Sequence, residues 1–371
     1  MSDKQPKNTF IFIPDISGFS RFVNETAIRH SKHIISELLE LIIDADELNL
    51  EVSEIEGDSV LFFKKEIPEP DEILNQVEKT FIRFHEHLNR YDTERICRCG
   101  ACETAHKLSL KFIVHQGPVE QIQIKNHLKL HGSDVILAHR LLKNSIPASE
   151  YVLFSDRFRQ QLSGTQNKRR ADAWIREFSA GEDTIDEHLV GYDYLLLSPL
   201  FARVKSPEKP ELPLEGKKAL NIEITINCSV DKLYEIFSDP GQRSEWAAGL
   251  QAIFKADDSL DTAGSVHTCV IDHKPMNIQA LGRLEDEKQI IFAERINRFG
   301  MIKNMIRIYT FDKHDDHTHI KLEISFSLQS PALMLLKPFL KQKIMKSSAN
   351  NLQRLKAYCE AKNQEMIVDK G

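Results

Sequence analysis

Residues 10–19 read FIFIPDISGF and residues 51–63 read EVSEIEGDSVLFF. The first stretch predicts a buried strand over Asn8–Pro14 that ends on a carboxylate, Asp15. A charge at the end of so apolar a strand is costly unless something pairs with it. The second stretch predicts two strands, Leu50–Ile55 and Ser59–Phe63, around a Glu-Gly-Asp turn in which Gly57 lets the backbone reverse. If the first strand lies beside this hairpin, Asp15 and Asp58 come together, and two adjacent carboxylates repel unless a proton or cation sits between them. Hard oxygen ligands of this kind suit Mg²⁺ or Mn²⁺, with phosphates supplying further ligands. The glycine-containing turn that follows, Ile16, Ser17, Gly18 and Phe19, offers backbone amides to phosphate oxygens. The blander alternatives are a helix cap for Asp15 and a turn role for Asp58.

The chain of 371 residues has room for two domains, and its 41% apolar and 28% charged residues are an ordinary globular mixture. A net charge of −6 argues against a nucleic-acid partner held by bulk electrostatics. The polar start MSDKQPKNTF has no hydrophobic signal region, and no apolar run approaches the roughly 20 residues of a membrane span. A cytoplasmic location is expected. Six cysteines in a chain this long do not make a disulfide framework.

The proline-rich, charged stretch 203–218 reads as a linker between a first domain, 1–202, and a second, 219–363. The first alternates strands and helices. Its helices are expected at Lys32–Leu48, Asp71–Tyr91 and Ser133–Asn144, and its later strands at Leu108–Val114 and Val119–Ile124. The second is read as a strand, a helical stretch over Ser229–Trp246, five alternating strands and one long helix from Pro331 to Ala361. That order predicts a curved antiparallel sheet wrapped around a C-terminal helix, so the fold class is α+β.

FIPDISGFSRF followed by SEIEGDSVLFF resembles the metal-binding core of class III nucleotide cyclases, a ferredoxin-like βαββαβ domain. LSLKFIVHQGPV (108–119) and HGSDVILAHRLL (131–142) resemble two later motifs of the same family, in the same order. The whole chain also resembles the bacterial DUF2652 proteins. The resemblance implies metal ligation by Asp15 and Asp58 and triphosphate contacts at Ile16–Phe19. It also implies a charge-stabilising role for Arg140 and base selection by Glu54 and Lys129. It implies a nucleoside triphosphate partner and a homodimer. Three departures stand out: Ile136 replaces the asparagine that orients the ribose, and Lys129 stands where an aspartate or cysteine is usual. No single lysine is identified for the phosphates, and Lys168, Arg169 and Arg170 are only nearby basic residues. Either a cyclic nucleotide is formed or the domain is a catalytically inactive ligand sensor.

Cys97, Cys99, Cys102 and His106 could together hold Zn²⁺, or the thiols are free. His115 and His139 are expected to be satisfied or solvated. INCSVDKLYEIFSDPGQRSEW resembles the START-like (SRPBCC, polyketide cyclase/dehydrase) helix-grip superfamily, which implies a cavity for an apolar small molecule. Asp272, His273, Glu294 and Arg295 could line it, although solvated strand faces are the expectation. Residues 333–346, LMLLKPFLKQKIMK, are apolar and basic; packing over the cavity is expected, with an anionic membrane as the alternative.

Overall fold

The computed structural model describes residues 7–25, 28–96, 104–125, 127–162, 174–175, 177–213, 220–255 and 262–368. Cys97, Cys99, Cys102, Lys168, Arg169 and Arg170 lie outside them. The chain divides into two compact units, Met1–Asn89 with Thr104–Pro207, and Arg90–Glu103 with Glu208–Gly371.

In the first unit, β1 (Lys7–Ser17) is the central strand. It pairs antiparallel with β3 (Ser59–Lys64) on one side and β4 (Ser109–Ile124) on the other. The sheet order is β2-β3-β1-β4-β6-β8-β7, with β5 paired to β4. Here β2 is Glu51–Glu56, β5 His127–His131, β6 Tyr151–Ser155, β7 Ser179–Ile185 and β8 His188–Leu196. The helices are α1 (Phe19–Glu25), α2 (Ile28–Asp44), α3 (Pro70–Glu94), α4 (Ser133–Arg140) and α5 (Asp156–Leu162). β1 is buried on both faces. Phe12 on one face stacks on Phe112, while Ile11 and Ile13 on the other join Val135, Ala138 and Leu141 around α4. A strand covered on both sides reads as a continuous apolar run, as this one does.

Boundaries moved for local reasons. β1 runs three residues past the expected end and takes Asp15 into the strand. α2 stops before Leu48, because the Asp46 carboxylate accepts from the Leu48 and Leu50 amides and closes a turn. β4 is one strand rather than two. Pro118 interrupts nothing, because the parallel pairing with β6 ends at Val114 and the pairing with β5 begins at Glu120. The helix from Ser133 ends at Arg140 and continues as a 3₁₀ turn over Leu141–Lys143.

The second unit is a seven-stranded antiparallel sheet, ordered β10-β11-β12-β13-β14-β15-β9. The strands are β9 (Leu220–Ile226), β10 (Leu250–Lys255), β11 (Val266–Ile271), β12 (Lys274–Glu285), β13 (Gln289–Phe299), β14 (Ile302–Lys313) and β15 (Thr318–Leu328). The long C-terminal helix is α8 (Lys337–Val368). The expected sheet-and-helix layout is present. Strand β10 is additional, and the expected helix 229–246 is two, α6 (Val230–Ser238) and α7 (Pro240–Trp246). The break falls at Asp239-Pro240, where Asp239 leaves the helical region and its side chain caps Gly241. Phe237 anchors the core at ring distances of 4.9 Å to Tyr309, 5.1 Å to Phe311 and 5.6 Å to Phe292.

α8 does not pack along its whole length. Leu352, Leu355 and Cys359 are buried, whereas Leu335 in the preceding 3₁₀ turn is 92% exposed and Phe339 65% exposed. The apolar and basic stretch 333–346 therefore presents much of its apolar surface outward. No described helix is long and apolar enough to cross a membrane.

Candidate functional site

Register places the two carboxylates. Asp15 lies opposite Ser59 across the β1–β3 pair, and the Ile16 amide donates to the Asp58 carbonyl at 2.9 Å. Gly57 and Asp58 form the two-residue hairpin loop between β2 and β3, with φ +61° at Gly57 alone. That is the type II′ pattern, which requires glycine first. On the other flank Lys111 of β4 lies directly opposite Asp15, and its Nζ is 3.2 Å from Asp15 Oδ2. The same Nζ donates to the Leu142 carbonyl at 3.0 Å. The partner of the buried aspartate in this structure is thus a lysine.

One ammonium does not neutralise the pair. Burial pushes the Asp15 carboxyl above the usual carboxylate value, and Lys111 opposes that only in part. Asp58 is also raised, first by burial and then by the negative charge of Asp15, against opposing effects of its own backbone and Lys111. The site is an under-neutralised acidic pair, and a divalent cation supplies the charge that such a pair lacks. The residues present fit a Mg²⁺ or Mn²⁺ ion. Sequence reading missed Lys111; its signal was a lysine within the apolar run LKFIV, but only strand register shows which carboxylate it meets.

The two expected base-selecting residues meet each other: Lys129 Nζ is 2.8 Å from Glu54 Oε2. His139 Nε2 lies 3.4 Å from Glu54 Oε1, and its Nδ1 is 3.8 Å from Glu56. Glu54, Glu56 and His139 bring ligand atoms within 4.8 Å of one another. Arg140 ion-pairs with Asp186 in the β7–β8 turn. Ile136 is 52% exposed on α4. Ile16 is fully buried, and Gly18 adopts φ +90° just before α1, which a side chain would resist. His106 sits in a 3₁₀ turn, Ala105–Lys107.

His115 is satisfied rather than catalytic. Its Nδ1 is 2.7 Å from Ser155 Oγ and its Nε2 3.0 Å from Asp134 Oδ1. All three side chains are buried. A methyl group at Gly117 would collide with the Asp134 carboxylate, which accounts for the glycine of HQGPV. The serine-histidine-aspartate set is closed to substrate and holds β4, α4 and β6 together. His115→Ala leaves Asp134 and Ser155 buried without this partner. It is expected to lower stability by about 2 kcal/mol, read as a shift in the urea midpoint of the first unit.

Residues 35–151 match the family described as protein of unknown function DUF2652. That span contains Glu54, Asp58, Lys111, Lys129 and Arg140, and begins after Asp15. An uncharacterised protein of Mycobacterium tuberculosis is 32% identical over 134 residues, which are 36% of this chain. The chain covers 63% of that relative's length. Among solved structures, the guanylate cyclase domain from Catenaria anguillulae in complex with GTP is similar at 16% identity and a TM-score of 0.36. That similarity covers 52% of this chain and 98% of that one. The adenylyl cyclase from P. aeruginosa is similar at 13% identity and a TM-score of 0.35, covering 52% and 95%.

The second unit holds a buried charge cluster. Glu294 of β13, expected on a solvated face, is fully buried. It accepts from Arg243 of α7 at 3.2 Å, from Arg307 of β14 at 3.3 Å and from the Tyr309 hydroxyl at 3.4 Å. Strand alternation explains the correction: Phe292, Glu294 and Ile296 share the buried face of β13, and Arg295 points the other way. Burial alone would raise the Glu294 carboxyl, but Arg243, Arg307 and His267 together hold it below the usual value. Asp272 and His273 are exposed in the β11–β12 turn and are not among the residues that line the cavity bordered by Arg243 and Arg307.

Proposed function

We propose that the first unit is a divergent nucleotide-cyclase-like domain that binds a divalent cation and a nucleoside triphosphate at Asp15 and Asp58. One observation carries the reading: β1 and the β2–β3 hairpin bring two carboxylates together with their pKa values raised, although Lys111 already stands beside them. A structural ion pair needs only Asp15 and Lys111; Asp58, at the hairpin turn, adds a second negative charge that Asp15 acts on. Mg²⁺ or Mn²⁺ there supplies charge to bind phosphate oxygens and to favour ionisation of a ribose hydroxyl. Asp15 and Asp58 hold the ion, and Lys111 limits how much negative charge they present to it. The backbone of Ser17–Phe19 is offered to the phosphates, because the expected Ile16 amide is already given to the Asp58 carbonyl. Glu54 and Lys129 together form a polar reader for the base, the carboxylate accepting and the ammonium donating. The sequence resemblance further implies that a second copy completes the site.

A sensor without rapid turnover is the second reading, favoured by specific positions. Ile136 provides no polar group for the ribose, and Arg140 is engaged by Asp186. Loss of one oriented polar group typically costs about 10²–10³ in rate. In the second unit, the seven strands and α8 support the START-like reading, a container for an apolar small molecule.

Incubating the full chain with Mn²⁺ and each of ATP, GTP, CTP and UTP tests turnover. A cyclic product detected by mass spectrometry and absent in Asp58→Ala supports an enzyme. Asp58-dependent nucleotide binding without product supports the sensor. Neither binding nor product refutes both.

A further inference from the structure

The second unit contains a cavity of about 50 Å³ between its sheet and α8. Its lining is mostly apolar, including Leu250, Met276, Ile278 and Leu352, but two guanidiniums, Arg243 and Arg307, also face it. The lining residues include no acidic side chain. Glu294 lies behind the two arginines and is the one carboxylate that pairs with either among the described residues. Two positive charges against one negative leave the cluster with a net charge of +1, its glutamate fully buried and its arginine side chains 14% and 18% exposed. A surplus charge largely withdrawn from water is costly, and an anion seated against the two guanidiniums offsets it.

Hydrogen-bond donors are in surplus too. The indole Nε1 of Trp246, which lines the cavity, and Nε of Arg307 are buried and have no hydrogen-bond partner in the described structure. Such groups are rare and ask for an acceptor. Arg243 is braced from two sides, by Glu294 and by the faces of Phe237 and Trp246, with its Cζ 5.7 and 6.0 Å from the ring centres. A second cavity of about 20 Å³ also borders Arg243 and Phe237, with Ile253, Ala280 and Phe292 beside Ser238 and His267.

We infer that this cavity binds an organic carboxylate, an apolar molecule whose anionic head sits against Arg243, Arg307 and the Trp246 indole N–H. The inference rests on reading the second unit as a container for an apolar molecule, and it specifies the head group. At about 10–15 Å³ for each water-sized position, the larger cavity holds a head group and a few further atoms. A longer tail extends toward the smaller cavity. Planar guanidiniums suit a carboxylate because they donate in a fork.

The test is isothermal titration of the full chain with propionate and butyrate, each beside the alcohol of equal length. The acids are expected to bind at least tenfold more tightly than the alcohols. Arg307→Gln and Trp246→Phe are each expected to weaken the acids severalfold and the alcohols by a clearly smaller factor. Arg307→Lys, which keeps the charge, recovers part of the loss. Circular dichroism melting of each variant separates lost binding from lost folding. Equal binding of acid and alcohol overturns the carboxylate inference and leaves the apolar container standing. No binding of either overturns both.

Discussion

Replacing Glu294 by alanine is expected to destabilise the second unit by about 3 kcal/mol, the low end of the usual cost of breaking a buried ion pair from one side, because its arginine partners keep some exposure. Glu294 is fully buried and is the shared partner of Arg243, Arg307 and Tyr309. Without it, two guanidiniums stay in the core with no carboxylate opposite them. Glu294→Gln keeps the shape and one acceptor but loses the charge, so it falls between alanine and wild type. The midpoint of the second unit's urea transition measures both. The opposite experiment, apolar replacement of Arg243, Glu294 and Arg307 together, is expected to cost far less than Glu294→Ala alone, because no charge is stranded. A triple variant as unstable as the single one would show that packing, not charge, is what Glu294 supplies.

Asp58→Asn is expected to separate binding from stability. In the metal-free protein Asp58 is raised above its unfolded value by burial and by Asp15. Between the unfolded value, about 3.9, and the higher folded one, the native state therefore holds more protons than the unfolded chain. Stability contributed by the protonated form is complete below that window and is lost as pH rises through the folded value. At neutral pH the asparagine variant escapes this penalty and gains up to about 1 kcal/mol, the scale of a partly exposed charge interaction. The stabilisation by Mn²⁺ and nucleotide, about 2.7 kcal/mol at a ligand concentration 100 times its Kd, disappears in the same variant. Thermal unfolding at neutral pH, with and without ligand, reads both effects. Asp15→Asn combines two opposed effects: it removes a buried carboxyl that is likewise raised, and it gives up the ion pair with Lys111, whose ammonium keeps the Leu142 carbonyl.

Much of this was legible in the sequence. FIFIP, SVLFF and the alternating strands of the second half announce themselves by apolar continuity or period-two patterning, and the Gly57–Asp58 turn by its chemistry. Juxtapositions that only register creates were not legible. Lys111 faces Asp15 because β4 pairs with β1 at that residue, and nothing local to LKFIV says so. Glu294 looked like a solvated strand residue because the stretch IIFAERI does not reveal which face is inward until α7 and β14 bring arginines to it. The break at Asp239-Pro240 could have been read from the residue preceding proline, which avoids the helical region. Strand β10, LQAIFK, lacks the period-two alternation that marks its neighbours.

The most direct measurement is Mn²⁺ binding followed by electron paramagnetic resonance, for the wild type and Asp58→Asn, each with and without GTP or ATP. The account predicts that the wild type removes free Mn²⁺ from solution, more tightly with nucleotide, and that the variant does not. Equal uptake by the two proteins, or uptake by neither, would contradict a metal–nucleotide site at Asp15 and Asp58.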